Sequence, residues 1–161
     1  TIALVQGAAF GGAVGLVACC DMALAEQGAS FCLSEVKIGL IPAVISPYVM
    51  RALGERQCRR YFLTAERFSA DSALTMGLLH QVVAAGELEP QSETLINSLL
   101  QNSPAAVTSA KQLIQHIYQR PINAELIADT TAAIASIRVS AEGQEGLTAF
   151  LEKRKPGWLT N

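Results

Sequence analysis

The chain opens with TIALVQGAAFGGAVGLVACC (residues 1–20), a stretch in which no side chain carries a charge. The segment IALV is β-branched and strand-like, whereas AVGLVACC suits a helix, and Gln6 and Gly7 stand between them. Glycine marks the ends of elements and lets one backbone approach another closely. We therefore predict a buried strand, a Gln-Gly turn and an apolar helix.

The glycine spacing of this stretch admits two other interpretations, and both fit less well. Gly7, Gly11 and Gly15 lie four positions apart, as in packed membrane helices, but the apolar run is interrupted by Gln6. A phosphate-binding loop would need a Gly-Lys-Ser/Thr or G-x-G-x-x-G pattern, and no Lys or Arg occurs before Lys37. We expect neither a membrane span nor a phosphate loop here.

The Gly11-Gly12 pair before the predicted helix has a chemical consequence. The start of a helix leaves backbone N–H groups without partners, and such groups can stabilise a developing oxyanion. Tight packing of a glycine-lined helix on a sheet explains the same residues equally well. From the residues alone, both interpretations stay open.

The composition fits one globular domain with a sizeable core, since the 161 residues are 50% hydrophobic with a mean hydropathy of +0.30. The net charge is −2 and the basic residues are scattered, which predicts no nucleic-acid partner. The four cysteines form no C-x-x-C pair, and Cys19 and Cys20 are adjacent, which indicates buried free thiols in a reducing cytoplasm. No charged n-region precedes the apolar opening, so we predict no membrane association.

The rest of the chain changes from mixed to mostly helical patterns. A strand is predicted at MALAE (22–26), followed by a strand and an ordered loop at 31–49, where Gly39 and two prolines forbid a long helix. A further strand, LLHQVVA, contains His80. Helices are predicted at 46–54, 55–65, 69–77 with Ser69 as N-cap and Gly77 as C-cap, 88–101, 103–119, 124–138 and 141–154.

Glu35 is the candidate acid or base of the sequence, because it lies between apolar stretches in a position suited to proton transfer. The alternative is a surface glutamate beside Lys37. His80 and His116 have no acidic or histidine partners at ligand spacing, so no metal site is predicted. The basic tail FLEKRKPGW is either a solvated helix end or a contact for an anion such as a ligand phosphate.

Together these segments resemble the enoyl-CoA hydratase/isomerase (crotonase) superfamily. The stretch IALVQGAAFGGAVGLVACCDMALA resembles its strand, turn, glycine cluster, helix and Cys-Asp, and FCLSEVKIGLIP resembles its F-x-x-x-E-x-x-x-G-x-x-P segment. The segments RALG, TAERFSADSALTMGLLHQVV, SPAAVTSAK and EGLTAFLEKRKP follow in the family's order. The resemblance spans essentially the whole chain and implies that the N-terminal part of a family member precedes Thr1.

The resemblance implies an α/β fold, the crotonase spiral of ββα units, of which this chain carries the C-terminal part. It implies that residues 1–64 complete the spiral core and that residues 65–161 form a helical trimerisation region. The expected assembly is a homotrimer, often paired into a hexamer.

The resemblance also implies a substrate and site residues. The substrate is an acyl-CoA thioester, and no separate cofactor is expected. Gly12 is implied to supply one of two backbone N–H groups that hold the thioester oxygen, the other coming from the N-terminal part. Glu35 is implied as the catalytic acid, and Phe150 and Lys153 as residues that approach the CoA nucleotide, commonly that of a neighbouring subunit.

The sequence departs from the commonest hydratase pattern at one catalytic position. Those enzymes carry a glutamate three residues beyond the oxyanion glycine, and here that residue is Gly15. The loop after Pro42 reads AVISPYV in place of a glycine-rich run. Both segments are similar to the bacterial branch that hydrates 3-methylglutaconyl-CoA and the related carboxygeranoyl-type CoA, so we expect a hydro-lyase for a branched, carboxylated enoyl-CoA.

Three alternatives remain at this point. A double-bond isomerase needs only one acid, so it fits the loss of the second glutamate. A non-catalytic acyl-CoA-binding subunit fits the same loss. A membrane-inserted protein is the last alternative.

Overall fold

The computed structural model describes residues 1–159, which divide into two compact units, Thr1–Glu93 and Thr94–Asn161. The first unit holds six short strands and most of the buried side chains. Its strands are β1 (Ile2–Val5), β2 (Ala8–Phe10), β3 (Met22–Glu26), β4 (Ser30–Cys32), β5 (Phe68–Ser69) and β6 (Gln81–Val83). Its helices are α1 (Gly12–Cys19), a 3-10 helix (Glu35–Ile38), α2 (Ser46–Leu53), α3 (Glu55–Thr64), α4 (Ala70–Thr75) and the first part of α5 (Leu88–Leu100).

The strands form two three-stranded sheets. In one sheet the order is β1-β3-β6 and all pairs are parallel, with Leu4 opposite Leu24. In the other the order is β2-β4-β5, with β2 parallel to β4 and β5 antiparallel to it. Because β2 and β4 are parallel, their carboxyl ends meet at one edge, and the segments that follow them lie side by side.

Apolar packing between these sheets and α1 to α4 forms the core. The largest fully buried side chains are Phe31, Leu24, Leu33, Val14 and Val49. Phe31 stacks on Phe68 with ring centroids 5.5 Å apart, across the β4–β5 pair. Apolar burial of this kind stabilises a fold by about 25 cal/mol per Å².

The structure confirms most of the predicted elements and corrects some. β1 and β3 lie where the pattern placed them, α7 has the predicted bounds, and Ser69 caps α4 by accepting from Ser72 N. The strand β2 was not predicted, because its three residues gain strand character only by pairing with β4. His80 was wrongly placed in a strand: it precedes β6, and its Nδ1 lies 3.1 Å from Ala23 N, which donates to it.

Two smaller expectations are also corrected. Met76 is the C-cap of α4, and Gly77 follows it with a φ of +88°, the left-handed conformation common just beyond a helix end. All four cysteines are free thiols, but only Cys32 and Cys58 are buried, whereas Cys19 is exposed. Burial raises the pKa of the Cys58 thiol.

The first compact unit continues past residue 64, where the sequence placed a division. β5 pairs with β4 and β6 pairs with β3, so the segment after α3 supplies edge strands to both sheets. Pairing of strands distant in the chain is invisible to local periodicity. The trimerisation role given to 65–161 stays a prediction, and residues 160 and 161 lie outside the described part of the chain.

The second unit is helical, with α6 (Pro104–Ile117), α7 (Ala124–Arg138), α8 (Ala141–Glu152) and a 3-10 turn at Gly157–Leu159. Ser103 caps α6 as predicted, accepting from Ala106 N. The Glu142 carboxylate of α8 accepts from Ser103 Oγ (2.6 Å) and Ala105 N (3.0 Å), and these bonds lower its pKa. This carboxylate ties α8 to the start of α6 and offsets the positive end of the α6 dipole.

Within the described residues, no helix is long and apolar enough to cross a bilayer. No group of three or more His, Cys, Asp or Glu side chains in residues 1–159 is placed to hold a metal ion.

An ion pair joins Glu145 of α8 to Arg154, which follows the end of the helix. Arg154 donates through Nη1 and Nη2 to the two oxygens of Glu145 (2.7 and 2.9 Å), and Gly157 N donates to the same carboxylate. Arg154, and then Gly157, lower the pKa of Glu145 from 4.5 to about 2. A carboxylate whose pKa is depressed in the folded state stabilises that state above its unfolded pKa and loses this effect as the pH falls.

We therefore expect part of the protein's stability to disappear as the pH falls from 4.5 towards 2. Urea midpoints measured above and within this range should fall less steeply for Glu145→Gln than for the wild type. Glu87→Gln, an exposed glutamate of the first unit, serves as the control and should follow the wild type. Identical pH dependence in Glu145→Gln and the wild type would contradict this account of the pair.

Candidate active site

The first site residue, Gly12, lies at the edge where β2 and β4 end. Phe10 is the last residue of β2, and Gly11 N still donates to Cys32 O of β4 at 2.8 Å. Gly11 then adopts φ 54° and ψ −124° and turns the chain into α1. A side chain would strain the backbone in this conformation, so glycine is required here.

Gly12 is the first residue of α1 and is exposed. Its N–H is one of the donors that a helix start leaves without an intrahelical acceptor. Gly11 O accepts instead from Val14 N at 3.0 Å, which closes the first turn. Gly12 therefore combines an exposed position with the positive end of the helix dipole, as an oxyanion donor requires.

Glu35 follows β4 and lies against the same turn. It begins the 3-10 helix, and its carbonyl accepts from Leu40 N at 3.0 Å, which fixes the loop behind it. Its Oε1 lies 3.5 Å from the position that a Cβ on Gly11 would occupy. The structure thus brings Glu35 and the Gly11-Gly12 turn together at the shared end of β2 and β4.

The side chain of Glu35 is half-buried, and one of its carboxylate oxygens has no partner within residues 1–159. Its Oε2 is fully buried and has no hydrogen-bond partner among the described residues. Burying a polar group without a partner costs about 1–3 kcal/mol, and such groups in folded proteins call for a functional explanation. This observation favours a proton-transferring group over the alternative of a surface glutamate paired with Lys37.

Gly15 lies one turn further along α1, and the side chain of Ile45 occupies the space beside it. A Cβ built on Gly15 would overlap Cγ2 of Ile45 and lie 2.6 Å from its Cβ. Ile45 precedes α2, and α1 and α2 pack against each other. The Ile45 side chain therefore occupies the space that any side chain at position 15 would need, and Gly15 is buried beneath it.

This contact predicts a specific stability pattern. Gly15→Ala should lower the free energy of unfolding by about 1–3 kcal/mol because it overpacks the contact. Gly15→Ala combined with Ile45→Ala should recover much of that loss, so the two changes are non-additive. Gly12→Ala is the control, since no atom lies within 4 Å of its Cβ position. Urea denaturation measures Gly15→Ala, Ile45→Ala, the double variant and Gly12→Ala, and strict additivity of the two changes would contradict the packing.

A cation also lies close to the turn. The guanidinium of Arg67, just before β5, stands over the Phe10 ring with Cζ 4.9 Å from the centroid. Phe10 faces Cys32 in the β2–β4 ladder. Cation–π contacts at exposed positions contribute about 0.5–1 kcal/mol, so this contact helps to fix the strand end that leads into Gly11. Local sequence patterns do not predict this contact, because it depends on the order of the strands in the sheet.

Phe150 and Lys153, predicted to approach the CoA nucleotide, lie in the second compact unit. Phe150 is 81% exposed near the end of α8. Lys153 is the C-cap of α8, exposed and with φ 55°. Arg154 is engaged by Glu145 and Glu152, whereas Lys153 has no ion pair among the described residues. Of these two adjacent cations, Lys153 is therefore the one available to a ligand.

Comparison with known proteins shows the family of the chain. The family model for enoyl-CoA hydratase/isomerase matches residues 1–161. The short-chain-enoyl-CoA hydratase of Clostridium acetobutylicum is 32% identical over 155 residues, which cover 96% of this chain and 59% of that protein. The crystal structure of an enoyl-CoA hydratase from Shewanella pealeana is 54% identical with a TM-score of 0.93, over 98% of this chain and 59% of that one.

A third relative shows the same fold at lower identity. The enoyl-CoA hydratase of Mycobacterium smegmatis is 33% identical with a TM-score of 0.91, over 99% of this chain and 62% of that one. The chain thus spans about three fifths of the length of these relatives. Its two small sheets and following helices match the crotonase fold that the sequence predicted. The chain belongs to the enoyl-CoA hydratase/isomerase family.

Proposed function

We propose that the intact protein is an enoyl-CoA hydratase that adds water reversibly across the α,β double bond of an acyl-CoA thioester. One observation carries the proposal: the half-buried carboxylate of Glu35, with Oε2 lacking a partner, lies against the turn that presents the Gly12 N–H. An exposed N–H at a helix start and a carboxylate beside it are the two groups that enolate chemistry requires.

The proposed reaction assigns one role to each group. The thioester oxygen accepts a hydrogen bond from Gly12 N–H, and a second donor comes from a part of the protein that precedes this chain. The Glu35 carboxylate takes a proton from water, and the water oxygen bonds to the β-carbon as the double-bond electrons move to the thioester oxygen. The α-carbon then takes the proton from Glu35, which returns as a carboxylate.

For the acyl group we propose a branched, carboxylated chain such as that of 3-methylglutaconyl-CoA. Its support is the resemblance of the stretches 7–21 and 34–49 to that branch of the family. Turnover of 3-methylglutaconyl-CoA should exceed that of crotonyl-CoA in the intact protein. Faster turnover of crotonyl-CoA would overturn this acyl specificity while leaving hydration in place.

A double-bond isomerase is the second candidate, and the Ile45–Gly15 contact favours it. Ile45 fills the space at position 15, so among the described residues Glu35 supplies the carboxylate at this turn. One carboxylate suffices to move a proton between two carbons. Mass spectrometry separates the candidates. Hydration adds the mass of one water to the enoyl-CoA, whereas isomerisation leaves the mass unchanged and shifts the absorbance.

We further propose that the protein works as a homotrimer or hexamer in the cytoplasm. Support comes from the apolar side chains that the second unit leaves exposed. They include Ile114, Ile122, Ile134 and Leu151, each more than 60% exposed. Where large exposed apolar side chains form one patch, that patch is typical of a subunit interface. The mass of the intact protein in solution tests the proposal, and a monomer would overturn it.

A binding role for Lys153 predicts a nucleotide-dependent effect. Lys153→Gln should raise KM for a CoA thioester about tenfold with little change in kcat, because it removes a charge-assisted contact to a phosphate. The same change should leave KM unaltered for the corresponding pantetheine thioester, which lacks the nucleotide. Lys155→Gln is the matched control. Equal effects on both thioesters would contradict a contact between Lys153 and the nucleotide.

A further inference from the structure

The contact between Ile45 and Gly15 lies close to the candidate active site. Cγ2 and Cβ of Ile45 lie where a side chain at position 15 would begin. The side chain of Ile45 is therefore pressed directly against the backbone of α1. It is half-buried, so part of it remains open beside the helix.

The backbone of Ile45 is held in place. Its carbonyl accepts from Tyr48 N (3.1 Å) and Val49 N (3.0 Å), which begin α2. Ser46 N donates to Pro42 O at 3.0 Å, and Ser46 Oγ donates to Ala43 O at 2.9 Å. These bonds constrain the backbone of the turn before α2, and with it the point from which the Ile45 side chain extends.

The position of Ile45 along α1 relates it to the reacting groups. Gly11, against which Glu35 Oε1 lies, and Gly15, against which Ile45 lies, are one helical turn apart. Neighbours at this spacing are about 5–6 Å apart. In an extended acyl chain the fourth and fifth carbons lie about 4–5 Å from the thioester carbonyl carbon. An acyl chain that runs along this face of α1 from a carbonyl beside Gly12 would therefore meet Ile45 close to its β-carbon substituents.

The loop between Glu35 and Ile45 is also rich in apolar side chains. It carries four exposed aliphatic side chains and no charge after Lys37. These are Ile38, Leu40, Ile41 and Val44, with exposures of 75, 59, 73 and 86%. Ile45 differs from them because its side chain is half-buried and lies against Gly15 of α1.

We propose that Ile45 is a specificity-determining residue, which limits the size of the substituent that the acyl-CoA carries at its β-carbon. The inference rests on the proposed function, since it assumes that an acyl thioester lies between Gly12 and Glu35. Shortening Ile45 would leave space beside Gly15 for a larger substituent. In a packed apolar pocket, one methylene group changes discrimination by about tenfold or more.

The test measures binding of saturated acyl-CoA esters, which do not react, to the intact protein. Dissociation constants are compared for butyryl-CoA and 3,3-dimethylbutyryl-CoA. Ile45→Ala should shift the ratio of the two constants about tenfold towards the larger ester. Val44→Ala, the adjacent and mostly exposed residue, is the matched control and should leave the ratio unchanged.

A second variant separates specificity from folding. Ile45→Val keeps the β-branch that meets Gly15 and removes one terminal methyl group, so it should fold normally and give a smaller shift in the same direction. An unchanged ratio in both Ile45 variants would overturn the inference. So would an equal shift in Val44→Ala, or the absence of binding by the wild type.

The outcomes for this inference and for the proposed function are distinct. Turnover of an enoyl-CoA with no change in the binding ratio would leave the hydratase in place and overturn the role of Ile45. A shifted ratio without turnover of any enoyl-CoA would support Ile45 and overturn the hydratase.

Discussion

Gly12→Pro is expected to lower kcat by about 10²–10³, the loss seen when one oxyanion donor is removed. Proline lacks the backbone N–H and is otherwise well tolerated at the first position of a helix, which is the position of Gly12 in α1. The Cβ of the proline has room, since no atom lies within 4 Å of that position. The substitution therefore removes the donor while leaving the helix.

The kinetic pattern identifies the role of the N–H. A donor that acts mainly on the developing charge changes kcat more than KM. Gly12→Ala is the matched control, because it adds a methyl group and keeps the N–H, and its loss of kcat should be much smaller. A folded Gly12→Pro protein with the kcat of the Ala variant would exclude this N–H as an oxyanion donor.

Glu35→Gln is expected to lower kcat by about 10² or more, because the amide preserves the shape of the side chain and cannot carry the proton. The carboxylate lies against Gly11, and its buried Oε2 has no partner in the described part of the chain. The substitution should leave the fold intact, so the loss reports on chemistry. Steady-state kinetics on an enoyl-CoA measures it.

Two controls show whether a loss of kcat in Glu35→Gln reports on proton transfer. Glu55→Gln removes a surface glutamate paired with Arg59 and should leave kcat near the wild-type value. Binding of a saturated acyl-CoA should be retained in Glu35→Gln. A loss of kcat smaller than about threefold would remove Glu35 from the proton-transfer role.

The sequence predicted those features that depend on nearby residues. The bounds of α7 follow from Asn123, whose side chain caps the helix by accepting from Leu126 N. The turn at Gly11 follows from a glycine pair between a strand and an apolar helix. The position of this turn beside Glu35 could be predicted only from the resemblance to a family, because it depends on the parallel pairing of β2 with β4.

The features that could not be predicted depend on packing between distant segments. Nothing in the letters AVISPYV indicates that Ile45 lies against Gly15, since the contact arises only when α2 packs on α1. The orphaned Oε2 of Glu35 and the Arg67–Phe10 contact have the same origin. The absence of a side chain at position 15 is thus explained by a residue that sequence reasoning did not single out.

We propose that Glu35 moves the proton at the α-carbon of an enoyl-CoA held by Gly12. The most direct test of this claim is the reaction of the intact protein with an enoyl-CoA in D₂O, followed by mass spectrometry of the product. The wild type is predicted to place deuterium on the α-carbon as water adds, and Glu35→Gln to do so at least about a hundredfold more slowly. Equal rates of deuterium incorporation in the two proteins, or none in the wild type, would contradict the claim.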